Sequence, residues 1–127
     1  MFEQDYIMRL IKEMVRALLK LLFNIDTESP TSELLEEKEA KETLDQLLDM
    51  VDDGKINQAE NELYELLSQE SMTNLEIALL FYSYLNDKED GFLKEHDYSR
   101  EEIKMGVKML ASRYGLNNIA ELFLTEL

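Results

Sequence analysis

The sequence predicts an all-α fold of five to six helices packed as antiparallel hairpins. Three observations carry this expectation. Leu, Glu, Lys, Met and Ala dominate the chain, and no apolar/polar alternation lasts more than a few residues. Apolar side chains recur at i, i+3, i+4 spacing in segment after segment. Helix start and stop signals stand at the ends of those segments. With 127 residues, 45% of them hydrophobic, the chain is expected to be one domain, 1–127, that buries roughly two-thirds of its unfolded surface.

The first helix is expected from about Glu3 to Asn24. Tyr6, Ile7, Leu10, Ile11, Met14, Val15, Leu18, Leu19 and Leu22 form one wide apolar stripe. Asn24 and the run Thr27-Glu28-Ser29-Pro30 end it. Pro30 suits a first helical turn with Ser29 as cap. The second helix then reads from about Thr31 to Asp52, with Leu44, Leu47, Leu48 and Val51 as its stripe and Gly54 as its stop. Its acidic run, Glu33, Glu36, Glu37, Glu39 and Glu42, reads as a solvated face.

A third helix, about Asn57 to Gln69, lines Ala59, Leu63, Leu66 and Leu67 along one side. The short Asp53-Gly54-Lys55 turn folds it back on the second. Thr73-Asn74-Leu75-Glu76 reads as a capping box opening the fourth helix. That helix is apolar on nearly every side, from Leu75 through Leu85, and belongs at the centre of the fold. Residues 86–98 read as a polar loop with Phe92 and Leu93 tucked onto the core. Ser99-Arg100-Glu101-Glu102 is a second capping box, opening a fifth helix that Gly115 ends. A last short helix is expected from about Asn117 to Thr125.

Composition excludes several classes. No Cys means no disulfide scaffold, no thiolate zinc site and no cysteine catalysis. The balance of 28 acidic to 13 basic residues gives −15, which argues against nucleic acid as a partner. Charges interrupt the apolar opening, so neither a secretory signal nor a membrane span is read there, and a cytoplasmic location is the default. No phosphate-binding Gly-rich loop and no Ser-His-Asp arrangement is visible, and no cofactor is implied.

The charge is also segregated. Residues 1–24 hold four basic and three acidic side chains, giving +1. The rest hold nine basic against twenty-five acidic, giving −16. Arg9, Lys12, Arg16 and Lys20 are spaced three, four and four apart and so share a helical face. Three readings follow. The helix is a core element whose basic edge pairs with the acidic body. Or it pairs with a second copy through Tyr6, Ile7, Leu10, Ile11, Met14 and Leu18 with the basic edge beside them, making a homodimer. Or it lies on anionic lipid, a reading that the acidic body opposes.

Two segments invite chemistry. Asp49 to Glu60, laid on a calcium-binding loop, sets Asp49, Asp53 and Glu60 at ligand positions and Gly54 at the sharp turn. Val51 falls where another oxygen ligand belongs, so an ordinary hairpin turn is the competing reading. His96, the only histidine, lies in Lys94-Glu95-His96-Asp97. It reads as an exposed loop residue, or as the base of an enzyme site assembled with distant carboxylates.

The stretch DDGKINQAENELYELL resembles the turn and second helix of a tetratricopeptide hairpin, with Ala59 as the small residue and Leu63 and Leu66 as the large ones. That resemblance implies a right-handed helical stack, although no second copy recurs at the ~34-residue period. The opening, FEQDYIMRLIKEMVRALLKLLFN, resembles a family of short bacterial helical proteins of unassigned function, over most of the chain. It implies a helical fold and carries over no site residues. The reading that follows is a non-catalytic protein-interaction or structural module, self-associating through its first helix. A calcium-responsive module and an unrecognised enzyme are the alternatives.

Overall fold

A computed structural model describes residues 2–27 and 30–118. Six helices and one 3-10 turn follow in order: α1 (Phe2–Phe23), the turn (Ser32–Leu34), α2 (Lys38–Asp52), α3 (Ile56–Leu66), α4 (Met72–Asn86), α5 (Asp90–Glu95) and α6 (Arg100–Arg113). The all-α expectation holds, and no strand occurs among the described residues. The helix expected at 117–125 lies mostly outside them.

α4 is the axis of the fold. Its apolar residues ring the whole helix, and nine of its fifteen positions are buried. Such a helix must be covered on all sides. α1, α2 and α6 pack directly on it, and α3 packs on α2. One continuous core runs from Ile7 and Ile11 of α1 through Leu44, Leu63 and Phe81 to Ile103 and Leu110 of α6. α2 and α3 form the expected hairpin. α4 and α6 are separated by α5 and lack a tight turn, so the right-handed tetratricopeptide-like stack is not established by these contacts.

α1 ends as its sequence predicts. Asn24 adopts the left-handed conformation at φ 56°, and the Ile25 amide returns to the Leu19 carbonyl at 3.2 Å. α2 starts later than expected, at Lys38 instead of Thr31. Its buried stripe is Ala40, Leu44, Leu47 and Val51. Continued backwards, that stripe would bury Glu33, Glu36 and Glu37 and turn Leu35 outward. The 3-10 turn capped by Thr31 breaks the helix there, which lets Leu35 bury while those three glutamates stay exposed. The acidic run is thus a solvated face, as read. The expected Ser29 cap lies outside the described residues.

α4 is capped by Ser71, not by a Thr73–Glu76 box. The Ser71 hydroxyl accepts from the Asn74 amide at 3.0 Å. Asn74 then donates to the carbonyls of Leu66 and Gln69, satisfying the end of α3 with the start of α4. The Ser99–Glu102 capping box is present as predicted. The expected 86–98 loop contains the short helix α5, and Leu93 within it is buried.

Arg100, in the first turn of α6, is 2% exposed. Its guanidinium donates to the carbonyls of Asn86 and Lys88 and to Asp90. Asn86 in turn donates to the Met8 carbonyl of α1 at 2.9 Å. This chain joins α1, the end of α4, α5 and α6. Arg100→Met strands buried carbonyls at the end of α4, so we expect a loss of about 3 kcal/mol in chemical denaturation. Asp90 is half-exposed but is the charge partner of the buried Arg100, so Asp90→Asn, which keeps an acceptor, should cost less than Arg100→Met, about 1–2 kcal/mol by the same measurement.

Candidate functional site

The outer face of α1 is the first candidate surface. The inner stripe is spent inside the chain: Ile7, Leu10, Ile11, Met14, Val15, Leu18 and Leu19 are all buried against the body. Each contributes roughly 1.5–3 kcal/mol over an exposed position. Together they amount to roughly 10–20 kcal/mol, comparable to or above the ~12 kcal/mol of a nanomolar complex, and the stripe is already covered within its own chain. That corrects the apolar part of the expected interaction set. The polar part stays outside: Arg9, Lys12, Arg16 and Lys20 are exposed, and Tyr6 is 41% exposed.

The four cations differ in their surroundings. Arg16 bonds Asp26 at 3.2 Å and Lys20 lies 3.7 Å from it. The Arg16 hydrogen bond, helped by the Lys20 charge, holds the Asp26 carboxyl below its ordinary range. Among the described residues, Arg9 and Lys12 make no ion pair. The basic edge is thus tied at its C-terminal end and open at its N-terminal half.

Beyond the end of α1 lies a cleft of about 280 Å³. Phe23, Ile25, Leu34, Leu35 and Ala40 supply its apolar walls. Glu36, Glu37 and Glu76 stand around it with Thr73. Burial, together with the nearby Glu36 charge, raises the Glu76 carboxyl above its ordinary range. None of these three carboxylates has an ion-pair partner among the described residues. The break between the 3-10 turn and α2 opens this cleft, and the expected continuous second helix hid it from the sequence reading.

The residues singled out for calcium do not converge. α2 runs through Asp52, and Val51 is buried in it, so the chain is still helical where a binding loop would turn. Asp49 and Asp53 are exposed, whereas Glu60 turns to the core. Its Oε2 accepts from three phenols, Tyr82 at 2.7 Å, Tyr98 at 3.0 Å and Tyr64 at 3.1 Å. No group of three or more His, Asp or Glu able to hold a metal occurs among the described residues.

This carboxylate with three tyrosines was missed in the sequence. Gly106 makes it possible: a Cβ there would stand 2.6 Å from the Tyr82 hydroxyl, so only Gly lets the ring pass under α6. A Gly inside a helical pattern was the available signal. His96 is likewise corrected. It is half-buried, with Nδ1 2.8 Å from the Phe92 carbonyl and its ring against Phe92. A Cβ on Gly54, at φ +84°, would lie 2.3 Å from that ring. His96 therefore braces α5 on the α2–α3 turn, and among the described residues it belongs to no group of three or more His, Asp or Glu able to hold a metal.

These features describe a small acidic helical protein, held by buried polar ties between helices, with a basic edge and an acid-rimmed cleft on its surface. The chain belongs to DUF6483, a family of unknown function whose model matches residues 1–115 and so spans every helix named above. The expected membership in an uncharacterised helical family is borne out, and the family carries no sign of an activity. No curated protein matches the chain, and no solved structure does. No helix among the described residues is long and apolar enough to cross a membrane.

Two measurements check these assignments. Burial foremost, then the Glu60 charge, raises the Tyr82 and Tyr98 phenols well above their ordinary value. Both are neutral below about pH 10 whether folded or not, so their contribution is intact there. Above it the unfolded chain ionises while the folded one resists. Each tyrosine then costs about 1.4 kcal/mol of stability per pH unit until the folded phenol also titrates. The melting temperature should fall steeply from about pH 10, and Tyr98→Phe should flatten that fall. In the second measurement, thermal melts should show Gly54→Ala losing more stability than Gly115→Ala. Both positions have positive φ, but only the first meets a ring.

Proposed function

We propose that the chain is a non-catalytic interaction or structural module that self-associates through its N-terminal helix. The observation that carries this reading is the outer face of α1. It presents Arg9, Lys12, Arg16 and Lys20 to solvent on a molecule whose remaining residues sum to −16. Like-charged copies repel unless a local patch of opposite sign meets them. The basic edge is such a patch, and the exposed acidic run Glu33, Glu36, Glu37, Glu39 and Glu42, before and at the start of α2, is its complement on the same chain. Because the inner stripe is buried, this reading takes the outer face as the contact between copies. That burial also weakens the membrane reading, because the apolar side that would enter lipid is occupied.

Light scattering on the full chain at tens of micromolar is expected to give a dimer mass. A bulky maleimide on Glu13→Cys is expected to return it to a monomer. The label is selective because the chain has no cysteine, and Glu13 lies exposed on the outer side of α1. A monomeric unlabelled protein at that concentration overturns the reading.

A further inference from the structure

We propose that the acid-rimmed cleft beyond α1 receives the basic edge of α1 from a second copy, in a two-fold dimer. This rests on the self-association just proposed and names the surface that completes it. The chemistry of the two sides matches. A lysine or arginine carries an apolar stem and a cationic head. The cleft offers apolar walls in Phe23, Leu34 and Leu35, and carboxylates at Glu36, Glu37 and Glu76. Arg9 and Lys12 are exposed and without an ion pair among the described residues; Glu36 and Glu37 are likewise exposed, Glu76 is part-buried, and none of the three carboxylates has an ion-pair partner there.

The placement matches as well. Phe23 stands seven positions beyond Arg16 and eleven beyond Lys12, so all three point to one side of α1. The cleft therefore opens towards the side that carries the basic edge. Arg9 and Phe23 are separated by about 21 Å along the helix, at 1.5 Å per residue. Two α1 helices laid antiparallel with the axis near Arg16 set each Arg9 beside the other copy's cleft, and both contacts form at once. Lys20, which would face the second copy's Lys12, is drawn towards Asp26. The C-terminal end of a helix also attracts cations, and the end of α1 borders the cleft.

The test is sedimentation equilibrium on two charge-reversed full chains, R9E/K12E and E36K/E37K, with circular dichroism melts to show that each is folded. All four positions are exposed. Each variant alone is expected to raise the dimer dissociation constant roughly a hundredfold or more, since like charges then oppose each other across the interface. An equimolar mixture of the two is expected to recover a heterodimer, because one contact becomes complementary again and the other is the original. A dimer that R9E/K12E weakens and E36K/E37K leaves intact overturns the cleft and leaves self-association standing. A mixture that fails to associate also overturns the cleft. A wild type that stays monomeric overturns self-association as well.

Discussion

The fold depends on one helix that has no side fit for water. α4 buries Leu75, Ile77, Ala78, Leu79, Leu80, Phe81, Tyr82 and Leu85, which point in every direction around its axis. A helix of this kind is stable only when neighbours enclose it. α1, α2 and α6 supply that enclosure, each with one apolar stripe and one polar back. The long first helix is therefore a wall of the core, and its inner face has no freedom to serve a partner. Any function it has lies on the outside.

Enclosure of this kind leaves helix ends and polar side chains inside, and each must find a partner. Two ties do most of this. Arg100 and Asn86 satisfy the end of α4 and link it to α1, α5 and α6. Glu60 gathers Tyr64, Tyr82 and Tyr98 onto a single carboxylate oxygen, joining α3, α4 and the residue before the α6 cap. Apolar packing alone tolerates sliding between helices, whereas these bonds have fixed directions and set the register. The Arg100 Nε has no hydrogen-bond partner, a cost that the other bonds of the same guanidinium offset.

The surface carries a different logic. Charge is divided so that one helix edge is basic while the rest of the chain, nine basic against twenty-five acidic residues, is strongly net acidic. Asp26 pairs with both cations of the C-terminal half of that edge and offsets one of their two charges, while the N-terminal half has no ion pair among the described residues. The cleft bordered by Phe23, Leu34 and Glu76 arises where α2 starts late, so its walls come from four separate segments. Membership in a family of unknown function places no activity on either surface. The reading of function accordingly rests on charge and shape.

Much of the architecture was legible along the chain. Local spacing determined α1, α4 and the α2–α3 hairpin, because periodic apolar residues and stop signals act within a few positions of one another. The capping box at Ser99 was legible for the same reason. Arg100 is charged and reads as surface; only the end of α4 lying above it makes it a core residue. Glu60 looked like a calcium ligand until three tyrosines from distant positions turned it inward. His96 looked like a loop residue until Gly54 met its ring. By itself, then, the sequence determined which segments are helices and which faces are oily or charged, since those follow from neighbours in the chain. Tertiary structure alone decided which polar groups are buried, where α2 begins and where a cleft opens, since those depend on residues brought together from far apart.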